Sequence, residues 1–499
     1  MLLLLLATTA VHTWARVWVG VPACPRPWLD DALRNVSDPL PPQFGQYLPH
    51  GAIAARCGGS DTAPDARLAT CTRTGYGDAY WCPTVPATVP PGSLVVTMDG
   101  GRSTPRRHPH VVGASDAAVA PEVYRAQYGV PDTVSTRPLV GVVEFQGDAS
   151  FSWDDLRQFC ATMGIAPCPR NATVVGPFHD LDTEATLDVQ TVVGAMPRGG
   201  RLFYGTYANW LLEFTASFAT RLAHGAPVPD VVSISWGWRE DRQCDIAGCN
   251  DSRAYVDRVN EELLKLALQG VTVVASSGDA GAAGRTDEAC QDPAPHAAFP
   301  ASSPYVLSVG GTVLTGPPRA APTSPFCTQE ACVGTPARED VAAFPGVGWT
   351  SGGGFSAWQP RLPHQRDVVA AYVAAHPCPG ANTAGTRAYP DLAAAAHAVA
   401  IVLGGQVTLV DGTSASAPLV AGLLGHAVAE TGARLGLVAP ALYAGGTFVR
   451  PGSANSSNAC TEETCQGCAG FTADPTLPWD PVFGLGTPRL LNLNDIVQQ

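Results

Sequence analysis

The chain has 499 residues, with 43 acidic against 30 basic side chains, and 45% of it is hydrophobic. That length suffices for one large folded domain plus a smaller one, and the acidic balance argues against nucleic acid as a partner. Fifteen cysteines point to an oxidising compartment, and the odd number leaves at least one unpaired.

Met1-Leu-Leu-Leu-Leu-Leu-Ala7 opens a short apolar run that ends near Thr13-Trp14-Ala15, which predicts a secretory signal peptide over residues 1–15. No basic residue precedes the run, so a short membrane anchor is the alternative. No later apolar run is long enough to cross a bilayer, and stable membrane insertion is not expected. Asn35, Asn171, Asn250 and Asn455 each begin an N-x-S/T sequon, which matters only on a secretory route. Residues 16–114 are rich in proline and glycine, and the basic stretch from Arg102 to His110 reads as an exposed linker. The main domain is placed at 115–499, with its first regular segment at Ala120-Pro-Glu-Val-Tyr-Arg125.

Within it, Leu139–Phe145, Val231–Trp236 and Val271–Val274 are β-branched runs suited to buried parallel strands. Tyr255–Gln269 predicts a helix with Val256, Val259, Leu263 and Leu266 inward and Gly270 as terminator. Strand, helix and strand in that order imply a right-handed βαβ unit, hence an α/β fold with a mostly parallel sheet flanked by helices.

Three segments carry chemistry. In Leu181–Gln190, Glu184 and Asp188 stand four apart on a helical pattern that Leu187, Val189, Val192, Val193 and Met196 mark as largely buried. Two carboxyls so close cannot both ionise easily, so one proton is shared and the pair can accept a serine proton in acid. A solvated acidic helix face is the bland alternative. Gly270–Gly281 reads as a buried strand ending in Ser-Gly-Asp279, at the kind of loop where α/β sheets bind ligands. Asp279 either caps a turn or, when protonated, donates a hydrogen bond to an oxyanion. Asp411-Gly-Thr-Ser-Ala-Ser-Ala-Pro418 presents Ser414 at the mouth of an apolar helix, with Pro418 expected in the first helical turn. Backbone N–H groups and the positive helix end there favour an oxyanion, although a Ser/Thr-rich helix cap would look the same. A histidine base is not expected. Subtilisin-type peptidases hold theirs in a His-Gly-Thr-His-like segment, and none of the 11 histidines, His179 beside the acidic helix included, has that context.

Taken together, Glu184 with Asp188, Ser-Gly-Asp279 and Gly-Thr-Ser414-Ala-Ser-Ala-Pro resemble the sedolisin, or serine-carboxyl peptidase, family, and within it the lysosomal tripeptidyl peptidases. Phe299–Val306, Ser351–Ser356, Arg387–Asp391, Trp479–Val482 and Gly484–Pro488 extend the likeness over nearly the whole chain after the signal region. The resemblance implies a subtilisin-like domain preceded by a small propeptide. It makes Ser414 the nucleophile, Glu184 the general base and acid, Asp188 its orienting partner and Asp279 the oxyanion donor. Leu33–Tyr47 resembles the family's propeptide, which is shorter than usual here and which would act as the enzyme's own inhibitor.

The implied activity is acid hydrolysis of polypeptides, releasing tripeptides from free N-termini; an acid endopeptidase is the alternative, and an inactive binding protein a more remote one. The implied location is a lysosome, an acidic vacuole or the exterior. A bridge Cys71–Cys82 is implied inside the propeptide, and others among Cys290, Cys460, Cys465 and Cys468, where Cys465-x-x-Cys468 alone would also suit a zinc half-site. The family's structural calcium would map onto the Asp480 carboxylate, carbonyls at Thr476 and Pro478, and an upstream Asp position that here holds Asn455, next to Ser456. One ligand charge is therefore missing, which weakens calcium binding, and a glycan on Asn455 would block it; a turn held by disulfides is the alternative.

Overall fold

The computed structural model describes residues 17–22, 24–40, 42–58, 65–98, 110–111 (backbone), 117–145, 149–285, 291–292, 294–315, 322–344, 346–378, 380–445, 448–450, 456–459 and 470–490. The expected signal segment 1–15 and nearly all of the linker lie outside these residues.

Val17–Gly20 (β1), Thr72–Thr74 (β2), Ala79–Cys82 (β3) and Leu94–Thr97 (β4) form a small antiparallel sheet in the order β2-β3-β1-β4. The helix Arg26–Ser37 (α1) follows β1 and buries Leu29, Leu33 and Val36. Disulfides Cys24–Cys57 and Cys71–Cys82 staple this unit, the second in the expected place.

The large domain is built on an eight-stranded sheet. Its members are Leu139–Phe145 (β5), Ala172–Val175 (β6), Arg201–Tyr207 (β7), Val231–Ile234 (β8), Thr272–Ser276 (β9), Leu307–Thr315 (β10), Arg338–Val341 (β11) and Leu392–Ala395 (β12). The order is β11-β10-β9-β8-β5-β7-β6, with β12 also on β10, and every pairing is parallel except β10 with β11. Strands β5, β8 and β9 are buried along their whole length, which is why they read as unbroken apolar runs. The subtilisin-like α/β expectation holds.

Thr183–Ala195 (α2), Leu211–Ala223 (α3), Ser252–Leu268 (α4) and Thr413–Thr431 (α5) are the principal helices. Helix α4 begins three residues before the expected start, because the Asp251 carboxylate accepts the Ala254 N–H at 3.0 Å and caps it. Its expected inward residues are all buried. The hairpin Val399–Leu403 (β13) and Gln406–Asp411 (β14) leads into α5, and the backbone of His110–Val111 pairs antiparallel with Asp411 and Val410.

The small unit is docked on α4. Leu48 donates its N–H to the Leu268 carbonyl at 2.7 Å, and α1 lies along the helix. The Asp78 carboxylate meets Arg258 at 2.9 Å and Lys265 at 2.8 Å, with both cations also paired to Glu262. Further disulfides join Cys160–Cys168, Cys244–Cys249 and Cys327–Cys332, and Cys378 is free. Cys290, Cys460, Cys465 and Cys468 lie outside the described residues. The sequon residues Asn35, Asn171 and Asn250 are exposed. No helix among the described residues is long and apolar enough to cross a membrane.

Candidate active site

The acidic helix starts where the sequence places it. Asp182 caps α2, its carboxylate accepting the N–H groups of Glu184 at 2.9 Å and Ala185 at 3.3 Å. One turn apart, Glu184 and Asp188 share a buried face rather than a solvated one. Helix α5 lies directly against α2. A Cβ on Gly422 would stand 2.5 Å from the Ala195 Cβ, so only glycine permits this approach.

Ser414 sits in the first turn of α5. The chain enters through Gly412, whose φ of +135° disfavours any side chain and whose missing Cβ would lie 3.2 Å from Asp279 Oδ2. Asp279 Oδ1 accepts the Thr413 N–H at 2.8 Å and its hydroxyl at 2.7 Å, while that hydroxyl accepts the Gly278 N–H at 3.1 Å. The loop after β9 is thereby tied to the helix start. Asp279, Ser414, Glu184, Ser276 and Trp236 line one cleft, which brings three of the four expected site residues together, and Asp188 lies behind them, bonded to the lining residue Ser235 at 2.8 Å. His179 is exposed and apart from it.

Pro418 corrects an expectation. Helix α5 starts at Thr413, so Pro418 falls in the second turn and not the first. Its missing N–H would otherwise have bonded the Ser414 carbonyl four residues earlier. Ser235 takes that place: its hydroxyl reaches the Ser414 carbonyl at 3.3 Å and Asp188 Oδ1 at 2.8 Å. A hydroxyl has one proton to give. A protonated Asp188 donating to Ser235, with Ser235 donating to Ser414, satisfies both contacts.

Electrostatics favour that state. Burial pushes the Asp188 carboxyl well above its usual range, and the charges of Glu144 and Glu184 push it further. The Glu184 carboxyl is likewise raised, by burial first and then by Glu144, with a hydrogen bond from Ser414 pulling the other way. Glu144, which the motif reading missed, is thus a third member of the cluster. It lies fully buried near the end of β5, and its Oε2 accepts the Trp236 indole N–H at 2.7 Å. The available signal was a lone acidic residue in the apolar run Leu139–Phe145. A serine hydroxyl beside buried carboxyls whose pKa values are raised, with Asp279 across the cleft, can pass its proton to carboxylate in acid.

The strand leading to the nucleophile is anchored as well. Asp411 accepts the Ala398 N–H at 2.7 Å, the Trp349 indole N–H at 3.0 Å and His397 Nδ1 at 2.9 Å. This clamp holds Ala398 at φ +54°, a left-handed conformation unusual for a residue with a side chain.

The expected calcium ligands fit poorly. Asp480 is fully buried, but Oδ1 accepts the N–H groups of Val482 and Phe483 at 2.9 and 2.8 Å, and Oδ2 accepts from Asp474 N–H and the Arg450 guanidinium. The Ser456 carbonyl accepts the Ala473 N–H at 2.7 Å. Thr476 directs its N–H and hydroxyl to Asp474 at 2.9 and 2.6 Å, and Pro478 follows it within the same loop. Asn455 lies outside the described residues.

The subtilase family model matches residues 216–433. Physarolisin of Physarum polycephalum is 35% identical over 413 residues, covering 78% of this chain and 70% of its own length. Tripeptidyl-peptidase 1 of Macaca fascicularis is 33% identical over 326 residues, and this chain spans 50% of it. Among solved structures, Pseudomonas sedolisin, a serine-carboxyl proteinase complexed with pseudo-iodotyrostatin, superposes with a TM-score of 0.56 at 22% identity, covering 77% of this chain and 98% of its own; that likeness speaks for the fold alone. On the extent and identity of the match to physarolisin, the chain belongs to the sedolisin family of serine-type peptidases.

Proposed function

We propose that this protein is an acid-active serine-carboxyl peptidase in which Ser414 attacks the peptide carbonyl and Glu184 takes and returns its proton. The observation that carries this is the buried cluster of Glu184, Asp188 and Glu144 behind Ser414, with no histidine among the described residues that line the cleft. Asp188, one helical turn on, serves as the positioning partner of Glu184, and Glu144, held by Trp236, adds the negative charge that raises both carboxyls. By the family resemblance, Asp279 serves as the oxyanion donor from across the cleft. An imidazole would already be charged at such pH and could not act as base. An inactive binding protein would have no use for all of these groups at once.

The substrate we propose is a polypeptide with a free N-terminus, cleaved after its third residue, by analogy with the tripeptidyl peptidase that the chain matches. The small unit, residues 17–98, is proposed as a propeptide. The backbone of His110–Val111 supports this, since it pairs with Val410 and Asp411 on the strand that leads to Ser414. An acidic organelle or acidic exterior is the setting such chemistry suits.

The test is hydrolysis of one peptide sequence with a free and with a blocked N-terminus, at acid and at neutral pH. Acid cleavage of the free peptide alone, releasing a tripeptide, is the expected result. Equal cleavage of both makes the enzyme an endopeptidase; activity confined to neutral pH overturns the carboxyl mechanism.

A further inference from the structure

The C-terminal loop, Trp479 to Thr487, lies against the central sheet. Trp479 donates its indole N–H to the Pro390 carbonyl at 2.9 Å, Leu485 its N–H to Asp391 at 2.8 Å, and Ala393 its N–H to Gly486 at 3.0 Å. Strand β12 is thus held in place partly by this loop. Within the loop, Asp480 and Gly484 exchange backbone hydrogen bonds at 3.2 and 2.8 Å, closing a tight turn around the Asp480 carboxylate. A buried carboxylate needs a cation or a full set of donors.

Arg450 provides the cation. Its guanidinium donates through Nη2 to Asp480 Oδ2 and to the Asp474 carbonyl, the latter at 3.0 Å, and through Nη1 to the Gly484 carbonyl. One carboxylate and two backbone carbonyls from separate turns therefore converge on a single positive group. That is a donor set a calcium ion would also use. The Arg450 backbone is aligned for this by Val449, which exchanges two 3.0 Å hydrogen bonds with Thr487. With three backbone N–H groups and the guanidinium directed at it, Asp480 has filled its roughly four acceptor positions. Calcium requires six to eight oxygen ligands at about 2.3–2.6 Å, and a charged N–H donor aimed at the same oxygen excludes it.

We propose that Arg450 is the built-in cation of the C-terminal loop, taking the place of the structural calcium ion of this fold family, so that the protein's stability is independent of calcium. Unlike a bound ion, the guanidinium is tethered to the chain and cannot dissociate into dilute solution.

The experiment uses the full chain, expressed and purified in calcium-containing buffer. Metal content after gel filtration, and thermal unfolding with added calcium and with a calcium chelator, are compared. No stoichiometric calcium and the same Tm in both conditions are expected. Arg450→Met should lower the Tm, and Arg450→Lys, which keeps the charge but not the fork, should fall between. One calcium per chain, a Tm that drops on chelation, or an Arg450→Met protein as stable as the parent would each overturn the proposal. Should Arg450→Met fail to fold, the metal content and chelator response of the parent still decide it.

Discussion

Three buried carboxyls within reach of one another's charge resist being ionised together, and the sign of the Glu184 and Asp188 shifts sets two measurable behaviours. Glu184 and Asp188 are both raised by burial and by Glu144. A raised carboxyl contributes stability that is complete below the ordinary carboxylate range and is lost as pH rises through the raised value. The Tm of the processed enzyme should therefore be highest in acid and fall toward neutrality, and a Tm that climbs with pH would contradict the cluster. Glu144→Gln keeps an oxygen for the Trp236 N–H while removing the charge that follows burial as a cause of both shifts. Both pKa values then drop, and the acidic limb of kcat/KM should move to lower pH; an unmoved limb would disconnect Glu144 from the base. Ser414→Ala should cut kcat by on the order of 10⁴-fold or more without loss of fold, and Glu184→Gln by about 10²–10⁴-fold. A folded Ser414→Ala protein with full activity would remove the nucleophile assignment.

At the level of elements, the site depends on how closely α2 and α5 approach and on what lets α5 start where it does. Gly422→Val would place side-chain atoms where Ala195 already stands, forcing the helices apart and Glu184 away from Ser414. We expect destabilisation of about 1–3 kcal/mol together with a large fall in kcat, read by chemical unfolding and peptide hydrolysis. Unchanged turnover in a folded variant would show that this spacing does not position the pair. Much of this arrangement was legible in the chain. The i, i+4 spacing put Glu184 and Asp188 on one face, the β-branched runs marked β5, β8 and β9, and the small residues around Ser414 announced a tight entry into a helix. What stayed hidden has physical reasons. Trp236 meets Glu144 across 92 residues, and no local pattern reports a pairing that the sheet order creates. Pro418 was placed a turn too early because a helix start in a Gly-Thr-Ser-Ala run carries no strong cap, so proline looked like the first fixed point. The Arg450–Asp480 contact was equally invisible: one arginine in a glycine- and proline-rich tail looks like any solvated side chain.

For the molecule as a whole, the interface between the small unit and α4 is where pH acts on assembly. Asp78 is fully buried, and burial alone would raise its pKa, yet Arg258 and Lys265 outweigh that and hold it below the ordinary 3.8. Glu262 pairs with the same two cations, Glu261 lies at 3.7 and 3.6 Å from them, and the Tyr76 ring covers Lys265. A depressed carboxylate contributes stability that is present above its ordinary range and is lost as pH falls through the lowered value. The Asp78 contact should therefore grip the small unit at neutral pH and loosen as pH falls through its lowered value, while Glu261, raised by burial, contributes with the opposite sign. Removing one of the two cations raises the Asp78 pKa and shifts release upward. In Lys265→Met, which preserves the length of a fully buried side chain, Asp78 and Glu262 must share Arg258 alone. Breaking such a buried network weakens the docked state by about 3–5 kcal/mol. The measurement is the pH at which the small unit separates from the large domain after the connecting segment is nicked by an added protease. Gel filtration across a pH series reads it, and Ser414→Ala as background excludes self-cleavage. Release at higher pH in Lys265→Met than in its parent is expected, with Asp78→Asn shifting it too. Release at the same pH in all three proteins would mean that the cluster fills space at the interface without setting its response to acid.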